Sequence, residues 1–406
     1  MKKKVIIAYA FDESRMIFFE RFRAALGQRG IELVVVSNRP ALGRRNLAAQ
    51  CLSRPRTMSA DDDALIRNSL EYCVGNRDRR SASRLCRSLD EFLEDVRRRV
   101  DIVGAFIWNG SGLAERVITR FAKGYGIATA YFENSNIPGR MIVDSEGVNA
   151  QCSVARDPCL LDLYSSALSE EEFENWKRGY IADQMRSHKV HQASSVRRVN
   201  WSFLSDILSQ WRRGIPQYET YPFLTKALLK LDALFYRPPN RHLDNLPERF
   251  VFFPIQVESD TQLIFNSDLG NEEALKIVSS RLEPGQKLVV KQHPAEPNKQ
   301  VQRRYARIVA RIGGIEADNN TFELMQAAEK VYTINSTAGL QAKLMGKPVE
   351  CLGRAVFAQL DDKALNRYIH GFLASIEFFD TNHITEAQLE DLFSRCFPHL
   401  IANLAA

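Results

Sequence analysis

A chain of 406 residues, 45% hydrophobic and 26% charged, has the composition of a globular protein with two or three domains. The net charge of +6 is compatible with anionic substrates or an anionic surface. Its basic residues are dispersed with no recognition motif, which argues against a nucleic-acid partner. Seven cysteines, with no CxxC pair, signal neither a disulfide framework nor a zinc site.

The start, MKKKVIIAYAFDES, reads as a first strand rather than a signal peptide, because its apolar run is short. No run approaches the ~18 apolar residues of a membrane span, so the expectation is a cytoplasmic, reduced protein. Val5 to Ala10 and Ile31 to Val36 are predicted strands flanking a helix with Phe18, Phe19, Phe22 and Leu26 on one face. This β-α-β opening implies a parallel sheet covered by helices. Residues 60–100 read as helical; the basic cluster RDRRSASRLCR (77–87) is either a solvated face or a phosphate or lipid contact. Asp61-Asp62-Asp63 is read as helix capping rather than a metal-binding acidic pair.

A strand from Ile102 to Trp108 leads into the small-residue turn Asn109-Gly110-Ser111-Gly112. A strand from Ile127 to Phe132 ends in Glu133, Asn134 and Ser135. A carboxylate at the C-terminal end of a parallel strand lies where open α/β sheets bind ligands. Residues 160–245 look helical. Trp201, Leu204, Leu208 and Trp211 share one helix face with arginines at both ends, which suits either packing between domains or a membrane interface. Residues 237–248, rich in Pro and Asn, read as a linker.

Beyond the linker, Arg249 to Gln256 is a strand that runs into VESDTQL. A second strand, Lys287 to Lys291, ends in Gln292-His293-Pro294. A third, Val331 to Ile334, hands over through Asn335, Ser336 and Thr337 to a helix starting at Ala338, with Gly339 read as admitting a close ligand. Right-handed crossovers would bring these three strand ends to one sheet edge. That edge would carry carboxylates, a lysine, a histidine and a hydroxyl-rich helix start, a set suited to an anionic ligand. The expected fold class is α/β and GT-B-like, with two Rossmann-like domains, parallel sheets and a helical middle segment. The expected divisions are 1–160, 161–245, 246–380 and a C-terminal helix at 381–406.

The stretches QVESDTQ (256–262), KQHP (291–294) and TINSTAGLQAKLMGKPVECLG (333–353) resemble the capsule polysaccharide biosynthesis family, whose members include β-Kdo transferases. A fourth, FENSNIPGRMIVDSEGVNAQCSVARDP (132–158), resembles that family's strand end and following GVNA segment. The resemblance implies a metal-independent transferase without a cofactor, taking Kdo from CMP-β-Kdo with retention and passing it to a lipid or glycan acceptor. It implies Asp260 as catalytic carboxylate and Glu133, from the other domain, as acid/base facing the acceptor. Lys291 and His293 would contact the cytidylate phosphate or the sugar carboxylate. Ser336 and Thr337 would hold phosphate, with Gln256 and Asn335 in support.

Asn134 and Ser135 depart from the acid or glycine that usually follows the family's Glu. Glu258 and Asp268 are alternatives to Asp260. Competing readings are an epimerase or a transferase using another nucleotide sugar, or a non-catalytic accessory of polysaccharide export. The resemblance also raises peripheral contact with the inner membrane.

Overall fold

The computed structural model describes residues 2–37, 60–164, 167–186, 241–296 and 298–402. They form two α/β units. One joins the N-terminal residues to 164 with those from 369 onward; the other includes residues 167–186 and 241–368. The chain is thus α/β and GT-B-like, with two Rossmann-like units. The tryptophan-bearing segment at 197–213 lies outside the described residues.

In the first unit, β1 (Lys4–Tyr9), β2 (Ile31–Val36), β3 (Asp101–Trp108), β4 (Ala128–Asn134) and β5 (Met141–Asp144) are ordered β2-β1-β3-β4-β5. The first four are mutually parallel, whereas β5 runs antiparallel to β4. That antiparallel edge strand is an addition to the expected parallel sheet. Its signal was the apolar run MIVD after the Ser-Asn-Ile-Pro-Gly turn, which permits a tight reversal.

The helix α1 (Glu13–Glu20) buries Phe18 and Phe19 against Phe132, at ring separations of 5.5 and 5.8 Å. Helices α2 (Arg79–Arg99) and α3 (Leu113–Gly124) are amphipathic, burying Leu85, Leu89 and Phe92, and Val117, Ile118 and Phe121 respectively. Residues 369–380, expected with the C-terminal sheet, belong to this unit, as does the helix Glu386–Cys396. Ala374, Ile376, Leu389, Phe393 and Phe397 complete its apolar core. Gly104 makes room for them, since a Cβ there would lie 2.6 Å from the Phe397 ring.

The basic cluster is only partly solvated. Arg77 is buried, 3.9 Å from the Glu71 carboxylate, and Arg79 pairs with Asp63 at 2.7 Å. Asp62 pairs with Arg120 at 2.6 Å, so the described members of the acidic triplet tie elements together through ion pairs.

The second unit opens with α4 (Glu170–Arg186), on which Phe173, Trp176 and Tyr180 stack in a ladder. Its sheet comprises β6 (Phe250–Pro254), β7 (Lys287–Lys291), β8 (Ile315–Glu316), β9 (Lys330–Thr333) and β10 (Val349–Cys351), ordered β10-β9-β6-β7-β8. Every pairing is parallel. Strand order therefore reverses between β6 and β9, the position at which open α/β sheets bind ligands beyond the C-terminal strand ends. The helices around this point are α5 (Thr261–Asn266), α6 (Asn271–Ser280), α7 (Lys299–Arg311) and α8 (Thr337–Leu344).

Candidate functional site

The neighbouring strands β9, β6 and β7 bring three loops to one edge: Asn335 to Thr337, Gln256 to Asp260, and Lys291 to His293. A reciprocal amide clamp holds the first two together. Gln256 Nε2 donates to Asn335 Oδ1 at 2.9 Å, and the Asn335 backbone N–H donates to Gln256 Oε1 at 3.1 Å. Asn335 Nδ2 also donates to the carbonyls of Gln262 and Asn266, at 2.8 and 3.1 Å. The Gln256 backbone exchanges two further bonds with the Asn271 side chain. These buried amides are satisfied within the protein, so they fix the two loops to each other rather than present themselves to a ligand.

Ser336 caps α8, its Oγ accepting from the Ala338 N–H at 3.2 Å, while its own N–H donates to Thr333 Oγ1 at 3.1 Å. The hydroxyl proton remains available to a donor-seeking anion at the positive helix end. Thr337 begins the same helix. Gly339 differs from expectation: a Cβ there would lie 2.8 Å from the Phe357 ring and 2.8 Å from Thr333 Cγ2. The glycine lets α8 seat on its own strand and on Phe357, and the approach it permits is internal. Lys343, one turn on, donates to the carbonyls of Phe357, Ala358 and Leu360, fastening the same segment.

Asp260 caps α5, accepting from the Gln262 N–H at 2.9 Å. Burial pushes its carboxyl up from the usual range, and the Gln262 amide opposes this. Glu258 is tethered: Arg304 pairs with it, and the Tyr305 hydroxyl donates to it at 2.5 Å. Asp268 is exposed and paired with Arg354 at 2.9 Å. Of the three carboxylates, Asp260 alone stands at a helix start under a desolvating environment, and Glu258 anchors the loop that carries it.

Lys291 sits at the end of β7 and donates to the Asn319 carbonyl. Burial lowers its pKa, with Asp318 and Glu323 opposing. His293 Nδ1 accepts from the Ala295 backbone N–H at 3.1 Å. The ring pKa is lowered by burial and then by the Lys291 charge. A lone pair engaged at Nδ1 leaves the proton on Nε2, so His293 is a neutral one-proton donor and not a second cation. Nitrogen-15 NMR near neutral pH is expected to show His293 protonated at Nε2 alone. Two protonated nitrogens would contradict this assignment.

In the first unit, Glu133 is the penultimate residue of β4. Its Oε2 accepts from Asn109 Nδ2 at 3.0 Å and its Oε1 from the Asn134 backbone N–H at 2.9 Å. The Asn109 to Gly112 turn leads into α3, whose start is capped by the protein's own acids. Glu115 accepts from the Gly112 N–H at 3.1 Å and Glu71 from the Leu113 N–H at 2.9 Å, with both residues buried. An incoming phosphate would meet these carboxylates, so this helix start is filled. Sequence reasoning singled out the turn but missed its pairing with Glu133, because the two stretches lie on different strands. Glu296, which accepts from the Glu258 backbone N–H, and Arg304 and Tyr305, which hold the Glu258 carboxylate, escaped because they lie far from Glu258 in the chain.

Residues 106–364 match the capsule polysaccharide biosynthesis protein family, and the chain belongs to it. Among curated relatives, the Escherichia coli capsule polysaccharide export protein KpsS is 24% identical over 286 residues, covering 66% of this chain and 71% of that protein. Protein FixF of Sinorhizobium fredii (strain NBRC 101917 / NGR234) is 25% identical over 257 residues, covering 62% of this chain and 48% of FixF. The solved β-Kdo 2,7 transferase structure of Thermosulfurimonas dismutans KpsC aligns over 99% of both chains at 13% identity, with a TM-score of 0.42. Among the described residues, no helix is long and apolar enough to cross a membrane.

Proposed function

We propose that this protein is a retaining glycosyltransferase that moves Kdo from CMP-β-Kdo to a lipid or glycan acceptor in capsule or O-antigen synthesis. The observation that carries the reading is the switch-point edge of the second unit. It combines a hydroxyl-capped helix start, Lys291, the neutral donor His293 and the desolvated carboxyl of Asp260. The sugar is assigned from the likeness of the four motif stretches to β-Kdo transferases.

Departure of CMP develops charge on phosphate. A helix start, one cation and one neutral N–H donor stabilise it without a metal or cofactor. Asp260 attacks the anomeric carbon as CMP leaves, forming a glycosyl ester; the acceptor oxygen then displaces Asp260, and two inversions give retention. Lys291 and His293 bind the phosphate or the sugar carboxylate, with Ser336 and Thr337 on the phosphate. Glu133 serves as acid/base toward the acceptor. We place the reaction at the cytoplasmic face of the inner membrane, where a lipid-linked acceptor would be met.

The test is calorimetric titration with CMP, with UDP as control, in the presence of EDTA. CMP is expected to bind in the micromolar range, UDP at least ~10-fold more weakly, and His293→Ala to lose ~5-fold or more in CMP affinity. A preference for UDP would replace the reading with a UDP-sugar enzyme. Binding of neither nucleotide would favour a non-catalytic export accessory.

A further inference from the structure

Asn109 occupies an uncommon position. Its φ of +39° lies in the left-handed region, which Asn tolerates better than most residues. Its backbone N–H and its side-chain oxygen both serve one turn. Its backbone N–H donates to the Phe132 carbonyl at 2.9 Å, and its Oδ1 accepts from the Ser111 N–H at 2.9 Å. The fixed amide then has its Nδ2 aimed at Glu133 Oε2, 3.0 Å away. Because β3 and β4 are parallel neighbours, the turn after one strand lies beside the carboxylate at the end of the other. Gly110 follows with φ +76°, and a Cβ there would come within 3.1 Å of the Tyr131 ring, so the turn has little room to shift.

We propose that Asn109 is the positioning residue for Glu133 and that the pair makes Glu133 a base rather than an acid. This rests on the transferase reading given above. Both carboxylate oxygens accept an N–H, Oε2 from Asn109 Nδ2 and Oε1 from the Asn134 backbone. Donors to both oxygens favour the ionised form. The chemistry asks for the same form. CMP departs as a stable phosphate anion and needs no proton, whereas the acceptor hydroxyl must lose one. In that step the acceptor O–H bond breaks, its proton goes to the Glu133 carboxylate, and its oxygen bonds the anomeric carbon. The bond from that carbon to its carrier breaks, and the carrier keeps the electron pair.

Asn109→Asp keeps the Oδ1 acceptor and a residue type that tolerates positive φ, but sets a second carboxylate against Glu133. Carboxyl 13C NMR, with Glu133→Gln to assign the signal, is expected to show the Glu133 titration moved up by about one pH unit or more in this variant. The acidic side of the kcat profile, where the raised Asp260 carboxyl also titrates, is expected to steepen in the same variant, because two carboxylates are then lost over one range. Asn109→Ala is expected to lower kcat about tenfold with KM within about twofold. An unmoved NMR titration in Asn109→Asp would overturn the pairing. A moved titration with an unchanged acidic side of the kcat profile would overturn Glu133 as the base while leaving the pairing intact. CMP titration of both variants reads the nucleotide site separately: retained binding beside an unmoved NMR titration would place the failure in this inference alone.

Discussion

Asp260→Asn is expected to lower sugar transfer by at least about a thousandfold while leaving CMP affinity within about twofold. The substitution is close to isosteric, and the amide oxygen can still accept from the Gln262 N–H that caps α5. The fold should therefore survive, and loss of rate would report chemistry. Burial raises the Asp260 carboxyl, so the ionised form is lost at a higher pH than for an exposed aspartate. Transfer that needs ionised Asp260 should accordingly fall off earlier on acidification.

Glu258→Gln is the matched control. Its carboxylate is held by Arg304 and Tyr305, so the variant should loosen the loop and reduce rate only modestly. A thousandfold loss in Glu258→Gln with an active Asp260→Asn would reverse the assignment. Mass spectrometry of quenched wild-type protein with donor alone should find the sugar on the peptide containing Asp260.

Gly339→Ala is expected to destabilise the second unit by ~1–3 kcal/mol with CMP affinity unchanged below the transition. The added methyl would sit 2.8 Å from both the Phe357 ring and Thr333 Cγ2. Neither can retreat freely, because Thr333 is fully buried in β9 and Phe357 is held beneath carbonyls that Lys343 bonds. For a unit of this size the loss corresponds to a drop in Tm of roughly 2–4 °C per kcal/mol. Phe357→Leu made on the Gly339→Ala background should recover part of it, since the two changes share one space. Unchanged stability with weakened CMP binding would instead restore Gly339 to the ligand surface.

These two expectations mark where sequence and structure part. A glycine in a small-residue turn after a strand looks alike whether it admits a ligand or a neighbouring phenylalanine, because Phe357 lies 18 residues away in sequence. Gln256 and Asn335 likewise read as polar groups at strand ends. Only the adjacency of β6 and β9 shows them spent on each other. His293 beside Lys291 reads as a contact for an anion, and only the turn through Pro294, which brings the Ala295 amide onto Nδ1, shows it to be a neutral donor.

Local pattern was sufficient for much else. Apolar runs and their punctuation determined β2 and β7 at their observed bounds, and the capping serine of α8 was legible from its position after a strand. These features depend on neighbours within a few residues, which sequence spacing encodes directly. Tertiary structure alone decided the features that depend on distant neighbours. These include the strand orders, the return of residues 369–402 to the N-terminal sheet, and the hold of Asn109 on Glu133. The physical reason is that burial and hydrogen bonding between segments far apart in the chain leave no periodic trace within either one.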